Sequence, residues 1–283
     1  YELALLAVAA GALPEALDHL DAAHRADPVS NKSHTLRAIV LRLAGRLEES
    51  NRVLDALLAV DPLDHWAAYE RSVCAGAPQI PSASRNDAQT IQDLAFDLTD
   101  AGLYREAVGL LEAHHAAPVE TAPVPNPMRE TAMTAYVLAW CLEQAGEHDR
   151  AREALERPGP RAHEYFFPSR LHEQIVLEWA TGVRPDDATA RYGLGNYCYH
   201  HRRPEAAIRW WEGGISAAEG TAADAQAANE RRAEPGASKR AARAPAQLYR
   251  NLGIAYWNAR RDAGAATAMY RAAIERDPND ARL

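Results

Sequence analysis

Two histidine pairs are the first candidates for chemistry in this sequence. His114-His115 and His200-His201 each place two imidazoles side by side, and Cys198 lies two residues before the second pair. Adjacent residues on a helix point about 100° apart, so neither pair can hold one metal ion without ligands from elsewhere. Zinc signatures need a second ligand pair at proper spacing, which this sequence lacks. We therefore predict no metal site and expect surface or groove histidines.

Sequence patterns for other kinds of catalysis are also missing. The chain has no glycine-rich phosphate loop, no G-x-S-x-G and no H-E-x-x-H. Acidic pairs such as Glu48-Glu49 and Asp186-Asp187 lie at turns or helix starts, where solvation and the helix dipole account for them. We predict no catalytic residue and no cofactor in this segment.

Composition favours close helix packing and argues against anionic partners. The chain has 283 residues, of which 47% are hydrophobic and only 7% aromatic, which suits packed helices better than a β-sandwich. Its formal net charge of -8 gives no general attraction to nucleic acid or anionic membranes. No apolar run reaches the roughly 18 residues that a membrane span needs. Three widely spaced cysteines are interpreted as reduced core thiols, which suits a cytoplasmic protein.

Helical spacing organises the stretch from Ala188 to Gly214. Leu194 shares a helix face with residues three or four positions away, and Gly195 beside it lets a neighbouring helix approach closely. Ala207 and Trp211 form the facing pair of one small and one large residue. The stretch is therefore interpreted as one complete helix–turn–helix unit.

The same order of residues returns near the C-terminus. It reads Tyr249, Leu252, Gly253, Tyr256, then Ala266, Tyr270 and Pro278. This copy resembles the tetratricopeptide repeat (TPR) pattern W-x2-L-G-x2-Y, then A-x3-F, then P, and Pro62 follows Pro28 at the 34-residue period of that family. The resemblance implies an all-α fold in which helical hairpins form a right-handed superhelix, an α-solenoid.

The repeat register divides the chain into hairpins within one solenoid domain over 1–283. Small and apolar residues recur at matching offsets, with Leu138 in the fourth hairpin equivalent to Leu194 and Leu252, and a glycine marks the turn of the first four hairpins. The chain begins inside a helical pattern and ends where another repeat would open, so we expect a piece of a longer protein. The six hairpins are expected at about 1–28, 31–62, 87–116, 128–157, 188–217 and 245–278.

Three segments depart from the 34-residue period. Extra helices are expected at about 64–75 and 168–181, the second beginning at Pro168. A flexible insertion without large apolar residues is expected at about 219–244, as a frayed extension of the preceding helix followed by a mobile loop. With these insertions, the runs from Phe167 to the C-terminus resemble a bacterial family of unknown function. In that family TPRs follow a β-sandwich domain related to sugar mutarotases, so the resemblance implies a carbohydrate context.

The first helix of each hairpin supplies the candidate binding residues. In a TPR superhelix the non-core face of these helices lines the concave groove, where aromatic and amide side chains suit an extended peptide. Counting repeat positions selects nine tentative ligand-binding residues: Tyr136, Trp140, Tyr192, Asn196, Tyr199, His200, Arg250, Asn251 and Trp257.

Two asparagines of this set have alternative interpretations. Asn196 and Asn251 occupy the places of the asparagines that clamp a C-terminal carboxylate in some TPR domains, but the lysines of that clamp are absent and Tyr192 stands in one of their places. The amides either bind a peptide or bond to neighbouring helices.

Two functions from different classes fit these patterns. The favoured one is a non-catalytic scaffold that binds a protein or peptide, including a preceding domain of the same polypeptide, on the concave face. The alternative is an accessory part of a carbohydrate-active enzyme whose catalytic domain lies outside this segment, with Trp140, Trp210 or Trp257 stacking on sugar. The sequence leaves the identity of the partner and the oligomeric state open.

Overall fold

The part of the chain that the structure describes contains fourteen α-helices and one π-helical turn. This structure is a computed structural model that describes residues 1–82, 84, 87–116, 131–156, 166–232 and 244–279. No strand occurs among those residues, so the all-α prediction is confirmed. The helices are α1 (Glu2–Ala9), α2 (Leu13–Ala26), α3 (Asn31–Leu43), α4 (Leu47–Val60), α5 (His65–Cys74), α6 (Ala88–Asp100), α7 (Tyr104–Ala116), α8 (Ala132–Gln144), α9 (His148–Leu155), α10 (Leu171–Val183), α11 (Ala188–His200), α12 (Pro204–Arg232), α13 (Ala246–Ala255) and α14 (Ala263–Arg276), with the π-helical turn at Tyr256–Arg260 between the last two.

The helices belong to two compact units. One comprises Tyr1–Glu130 with Val137–Glu153, and the other comprises Thr131–Tyr136 with Ala154–Leu283. In the first unit α1 packs on α2, α2 on α3, α3 on α4, and α6 on α7, while α5 packs on both helices of the second hairpin. In the second unit α10 packs on α11, α11 on α12, α12 on α13, and α13 on α14. Consecutive helices therefore pack as antiparallel hairpins, and a single superhelix over 1–283 stays a prediction.

Buried leucines and neighbouring glycines lie where the predicted helix pairs cross. Leu138, Leu194 and Leu252 are all buried, which confirms the register of the repeats. A Cβ atom added to Gly195 would lie 2.6 Å from Cε2 of Trp211, and one added to Gly253 would lie 3.1 Å from the ring of Tyr270. In both hairpins, the glycine makes room for the aromatic ring of the second helix.

A left-handed residue closes the turn of every hairpin. Gly11, Gly45, Gly102 and Gly146 all have φ between +73° and +82°, a region that glycine enters without steric cost. Arg202 (φ 57°) and Arg261 (φ 54°) take the same place in the last two hairpins, two residues before the second helix begins. The backbone turn is therefore conserved in shape across the six hairpins although the residue type changes.

Side-chain caps begin five of the helices. Ser30, Asp64, Asp87, Asp187 and Asp262 each accept a hydrogen bond from a backbone N–H in the first turn that follows. Such caps satisfy donors that have no partner within the helix. Thus four aspartates of this acidic chain have a structural role at helix starts.

A buried ionic cluster joins three helices of the first unit. Arg42 on α3 donates to Glu70 on α5, with 3.3 Å between Nη2 and Oε2, and its Nη2 also lies 2.8 Å from Oε2 of Glu106 on α7. Glu70 is 1% exposed, and this burial raises the pKa of Glu70 from 4.5 to about 7 against the opposing effect of Arg42. The cluster holds α5 against the hairpins on either side of it.

One expectation for the irregular segments needs correction. The first extra helix is confirmed as α5. The second begins at Leu171 rather than Pro168, because the Glu173 side chain accepts the backbone N–H groups of Ser169 and Arg170 and so fixes the helix start. The insertion at 219–244 begins with the expected extension of the preceding helix, because α12 continues as far as Arg232 through a stretch rich in alanine, glutamate and arginine, all strong helix formers. Its remaining part, 233–243, lies outside the described residues.

The cysteines and the apolar segments agree with the sequence. Cys74, Cys141 and Cys198 are free thiols and all three are buried. Burial raises the pKa of the Cys141 thiol to about 12. Among the described residues, every helix is too short or too polar to cross a bilayer.

Candidate functional site

A surface pocket of about 240 Å³ in the second unit brings together four of the predicted binding residues. Helix α11 contributes Asn196, Tyr199 and His200, which follow one another at helical spacing, and α13 contributes Asn251. The remaining walls are apolar side chains from three elements of the same unit: Phe167, Trp211 and Ile254. Among the described residues, no carboxylate lines this pocket.

The two asparagines form a continuous chain of hydrogen bonds. Asn251 Nδ2 donates to Asn196 Oδ1 at 2.9 Å, and Asn196 Nδ2 donates to the backbone carbonyl of Phe166 at 2.8 Å. Both amides are half-buried. Asn251 therefore bonds to a side chain of the neighbouring helix α11, and Asn196 holds a carbonyl of the extended segment before α10. An amide carries two N–H donors, so each side chain keeps capacity for a further partner.

The rim of the pocket is polar and partly open. Asn258 Nδ2 donates to the Tyr199 hydroxyl at 3.0 Å, while the Tyr199 ring lies 5.7 Å from the ring of Trp211. His200 is exposed, as expected from the sequence. Arg250 stands next to Asn251, with its guanidinium 3.4 Å from Asn251 Oδ1. The rim therefore offers a hydroxyl, an imidazole and a guanidinium beside the amide pair.

Trp257 and Trp140 lie apart from the amide pair. Trp257 is 49% exposed on the π-helical turn, where the Arg261 guanidinium lies 5.9 Å from the centre of its ring. Trp140 belongs to the first unit, where it is half-buried and packs edge-on against Tyr104 at 5.7 Å. Trp210 is half-buried beneath Arg191. Of the three tryptophans that were candidates for sugar stacking, Trp257 alone has an exposed side chain.

The expectation that Tyr136 and Tyr192 line an open surface is wrong. Their exposed fractions are 0% and 1%. The Phe166 ring packs between them, with its centroid 6.2 Å from the Tyr136 ring and 6.3 Å from the Tyr192 ring. An extended segment that precedes α10 therefore covers both tyrosines and turns them into core residues.

Each of these tyrosines has a structural role in the second unit. The Tyr136 hydroxyl donates to Asp187 Oδ1 at 2.9 Å, and the same oxygen accepts the Ala190 N–H that it caps at the start of α11. Burial, and then the Asp187 carboxylate, raises the pKa of the Tyr136 phenol well above 10, so the hydroxyl stays a donor. The Tyr192 carbonyl accepts a hydrogen bond from Trp211 Nε1 at 3.2 Å.

Phe166 and Phe167 contribute to this candidate site although the sequence pattern did not select them. Phe166 is 1% exposed and packs where Gly193 leaves space, since a Cβ at Gly193 would lie 2.6 Å from its ring. Phe167 is 69% exposed and forms one wall of the pocket. Two adjacent aromatic residues before Pro168 were the available signal, but repeat counting does not reach a segment between two hairpins.

The histidine pairs behave differently from each other. His114 is 0% exposed, so its expected place on a surface or in a groove is wrong: it points into the core of the first unit. His115 bonds the carbonyl of Leu111 one turn earlier, at 2.8 Å. His200 and His201 are exposed, and His201 Nε2 donates to the carbonyl of Ser169 at 2.9 Å. Within the described ranges, no three His, Cys, Asp or Glu side chains are grouped so that they could hold a metal ion.

Solved structures similar to this chain include several TPR proteins. The crystal structure of MamA is 17% identical over 86% of this chain and 95% of that one, with a TM-score of 0.28. The crystal structure of YrrB, described as a TPR protein with an unusual peptide-binding site, is 14% identical over 92% of this chain and 93% of that one, with a TM-score of 0.29. A tetratricopeptide repeat protein from Parabacteroides merdae is 14% identical over 99% of this chain and 92% of that one, with a TM-score of 0.26. No curated protein matches this chain.

The match to a protein family falls on two segments. The family described as tetratricopeptide repeat matches residues 1–62 and 176–238. The first segment contains the hairpins α1–α2 and α3–α4, and the second contains α11 with its Leu194-Gly195 pair and the described part of α12. These two segments therefore match the tetratricopeptide repeat family, and the sequential hairpin packing of both units is TPR-like.

Proposed function

We propose that this chain is a non-catalytic binding module that holds an extended peptide segment in the pocket between α11 and α13. The observation that carries the proposal is the 2.8 Å hydrogen bond from Asn196 to the Phe166 carbonyl. This side chain already binds the main chain of an extended segment, so α11 presents an amide at the position that recognition of extended backbone requires. The pocket lies directly beside that contact.

The pocket supplies the two kinds of contact that an extended peptide needs. Asn251 and the Tyr199 hydroxyl offer hydrogen bonds to peptide groups of the occupant, and Ile254 with Phe167 offers apolar surface for one side chain. A cavity of about 240 Å³ holds one large apolar side chain, while the rest of the segment lies along the rim. The occupant is a segment of another protein, or of a domain that precedes this one in the same polypeptide.

Selection from a library of random peptides, displayed on phage, tests this function. Peptides that bind the purified chain are synthesised, and their affinity is measured by fluorescence anisotropy for the unmodified protein and two variants. Ile254→Asp places a charge in the apolar wall and Asn251→Ala removes an amide, so we expect each to weaken binding by about tenfold. Arg271→Ala changes an exposed residue of α14 and is the matched control, with affinity unchanged.

Three outcomes contradict the proposal. They are a library that yields no binder, a binder that Ile254→Asp leaves unaffected, and a saturable fluorescence change with oligosaccharides in the absence of any peptide binding. The last result would favour a carbohydrate accessory role with Trp257 as the stacking residue. Circular dichroism of each variant establishes that lost binding does not arise from unfolding.

A further inference from the structure

The first unit carries a second groove that the proposed function does not use. Its volume is about 570 Å³, and it is lined by the end of α2, the start of α3 and one face of α4. Val53, Leu57 and Val60 supply apolar surface along α4 at positions i, i+4 and i+7. These three residues span roughly 10 Å of helix, close to two turns. The groove is therefore an elongated apolar surface along one helix.

The polar side chains of this groove are basic or neutral. His24, His34, Arg37 and Arg52 line it, and no aspartate or glutamate of the described part of the chain does. Carboxylates close by already have partners, since Asp21 accepts from Arg37 and Asp61 accepts from the Asn31 amide at 2.8 Å. The whole chain has a formal net charge of -8, so a groove with this lining differs from the average surface of the protein.

We propose that this groove binds an amphipathic helix of a protein partner, with apolar side chains on one face and acidic side chains along its edge. The acidic residues would pair chiefly with Arg52, since Arg37 is already paired with Asp21, and the apolar face would cover Val53, Leu57 and Val60. A helical partner satisfies its own backbone hydrogen bonds. An extended peptide would need backbone donors and acceptors from the groove, and walls made of helices do not offer them as a strand edge does.

Two exposed valines indicate that the occupant is larger than the cavity. Val29 is 83% exposed and Val60 is 85% exposed, and both belong to the groove lining. Their apolar surface continues beyond the enclosed space, so a helix of several turns would bury more of it than a small anionic molecule would. The N-terminus of α3, which is the positive end of its helix dipole, lies at Asn31 in the lining of this groove. It adds to the preference for a bound helix with a negatively charged edge.

A library of helix-forming peptides on phage provides the probe. Every member carries apolar residues at helical spacing, and the flanking positions are randomised among glutamate, lysine and glutamine. We expect selection on the purified chain to enrich glutamate at the flanks, and the binding of a selected peptide to weaken as salt is raised. Arg52→Glu should weaken that peptide several-fold to about tenfold, and Val60→Asp by about tenfold.

The controls make the same chemical changes elsewhere in the same unit. Arg105→Glu reverses an exposed charge on α7, and Leu3→Asp replaces an apolar side chain that is 61% exposed on α1. Both should leave peptide affinity unchanged. Enrichment of lysine, equal losses in Arg105→Glu and Arg52→Glu, or no enriched peptide would each overturn the proposal. Since none of these substitutions lies in the second unit, the outcome is independent of the peptide pocket there.

Discussion

Replacing Gly195 with alanine should destabilise the second unit although alanine is the better helix former. The added Cβ would lie 2.6 Å from Cε2 of Trp211 and closer still to two other atoms of the indole ring. Trp211 is 2% exposed and, although it forms part of one wall of the pocket, displacing its ring disturbs the buried side chains packed around it. Its Nε1 also donates to the Tyr192 carbonyl, and displacement of the ring weakens that buried hydrogen bond.

The expected change in the free energy of unfolding follows from two destabilising contributions and one stabilising contribution. Overpacking of a core costs about 1–3 kcal/mol, and weakening one buried hydrogen bond costs about 0.5–1.5 kcal/mol. The helix propensity of alanine over glycine returns about 1 kcal/mol. We therefore expect Gly195→Ala to lower the free energy of unfolding by about 0.5–3.5 kcal/mol, and Gly195→Leu to lower it further.

Two other helical glycines make a graded comparison. Gly109 on α7 has no atom within 4 Å of an added Cβ, so Gly109→Ala should stabilise by about 0.5–1 kcal/mol. Gly253 would place its Cβ 3.1 Å from Tyr270, a half-buried ring that can shift, so Gly253→Ala should fall between the other two. The order of stability is thus predicted from the space around each glycine.

Urea unfolding followed by far-UV circular dichroism measures this order. A double-mutant cycle with Trp211→Phe isolates the contact, because a smaller ring should reduce the loss caused by alanine at Gly195. If Gly195→Ala is as stable as Gly109→Ala, or if its loss is the same with and without Trp211, the packing argument is wrong.

Two further predictions concern the ionic cluster and the hairpin turns. Burial raises the pKa of Glu70 from 4.5 to about 7 in the folded protein. Between these two pH values the folded protein binds a proton that the unfolded chain has lost, so the stability that Glu70 contributes decreases as pH rises from 4.5 to 7. The stability of Glu70→Gln relative to the unmodified protein should therefore increase by roughly 3 kcal/mol from pH 4 to pH 8, and a pH-independent difference in denaturant titrations would refute it. Arg202→Gly should stabilise by up to about 1 kcal/mol because it relieves a left-handed backbone, whereas Gly45→Ala should destabilise by about 1 kcal/mol; thermal unfolding with the opposite signs would exclude this explanation.

The repeat pattern predicts the parts of the fold that depend on spacing along one helix. Leu194 with Gly195, and Leu252 with Gly253, could be recognised because each pair must lie opposite an aromatic residue of the following helix. The glycines of the first four turns were readable for a similar reason, since their backbone conformation favours one residue type. No such signal marks the turn at Arg202 in the sequence, because a turn fixed by the surrounding structure can also hold a residue that disfavours the left-handed region.

The helix that continues beyond the fifth hairpin shows a different limit. Residues 219–232 lack large apolar side chains, and the sequence predicts a frayed helix extension followed by a mobile loop without fixing where the helix ends. A segment without core residues can stay helical when it is rich in alanine and continues a packed helix, as α12 does as far as Arg232. Nucleation, which is the costly step, has already taken place where α12 packs against α11.

The candidate site shows most clearly what repeat counting leaves out. Counting assigns positions of α8 and α11 to the non-core face expected for the first helix of a hairpin, and it selected Tyr136 and Tyr192 for that reason. Whether those side chains meet solvent depends on what else the chain places over them, and here the segment at Phe166 lies between two hairpins and outside any repeat. The same segment places Phe167 beside Asn196 and so forms one wall of a pocket that the repeat would lack without this segment. In a helical repeat protein, the period therefore determines the scaffold, whereas the irregular segments between hairpins decide which part of its face remains available to a partner.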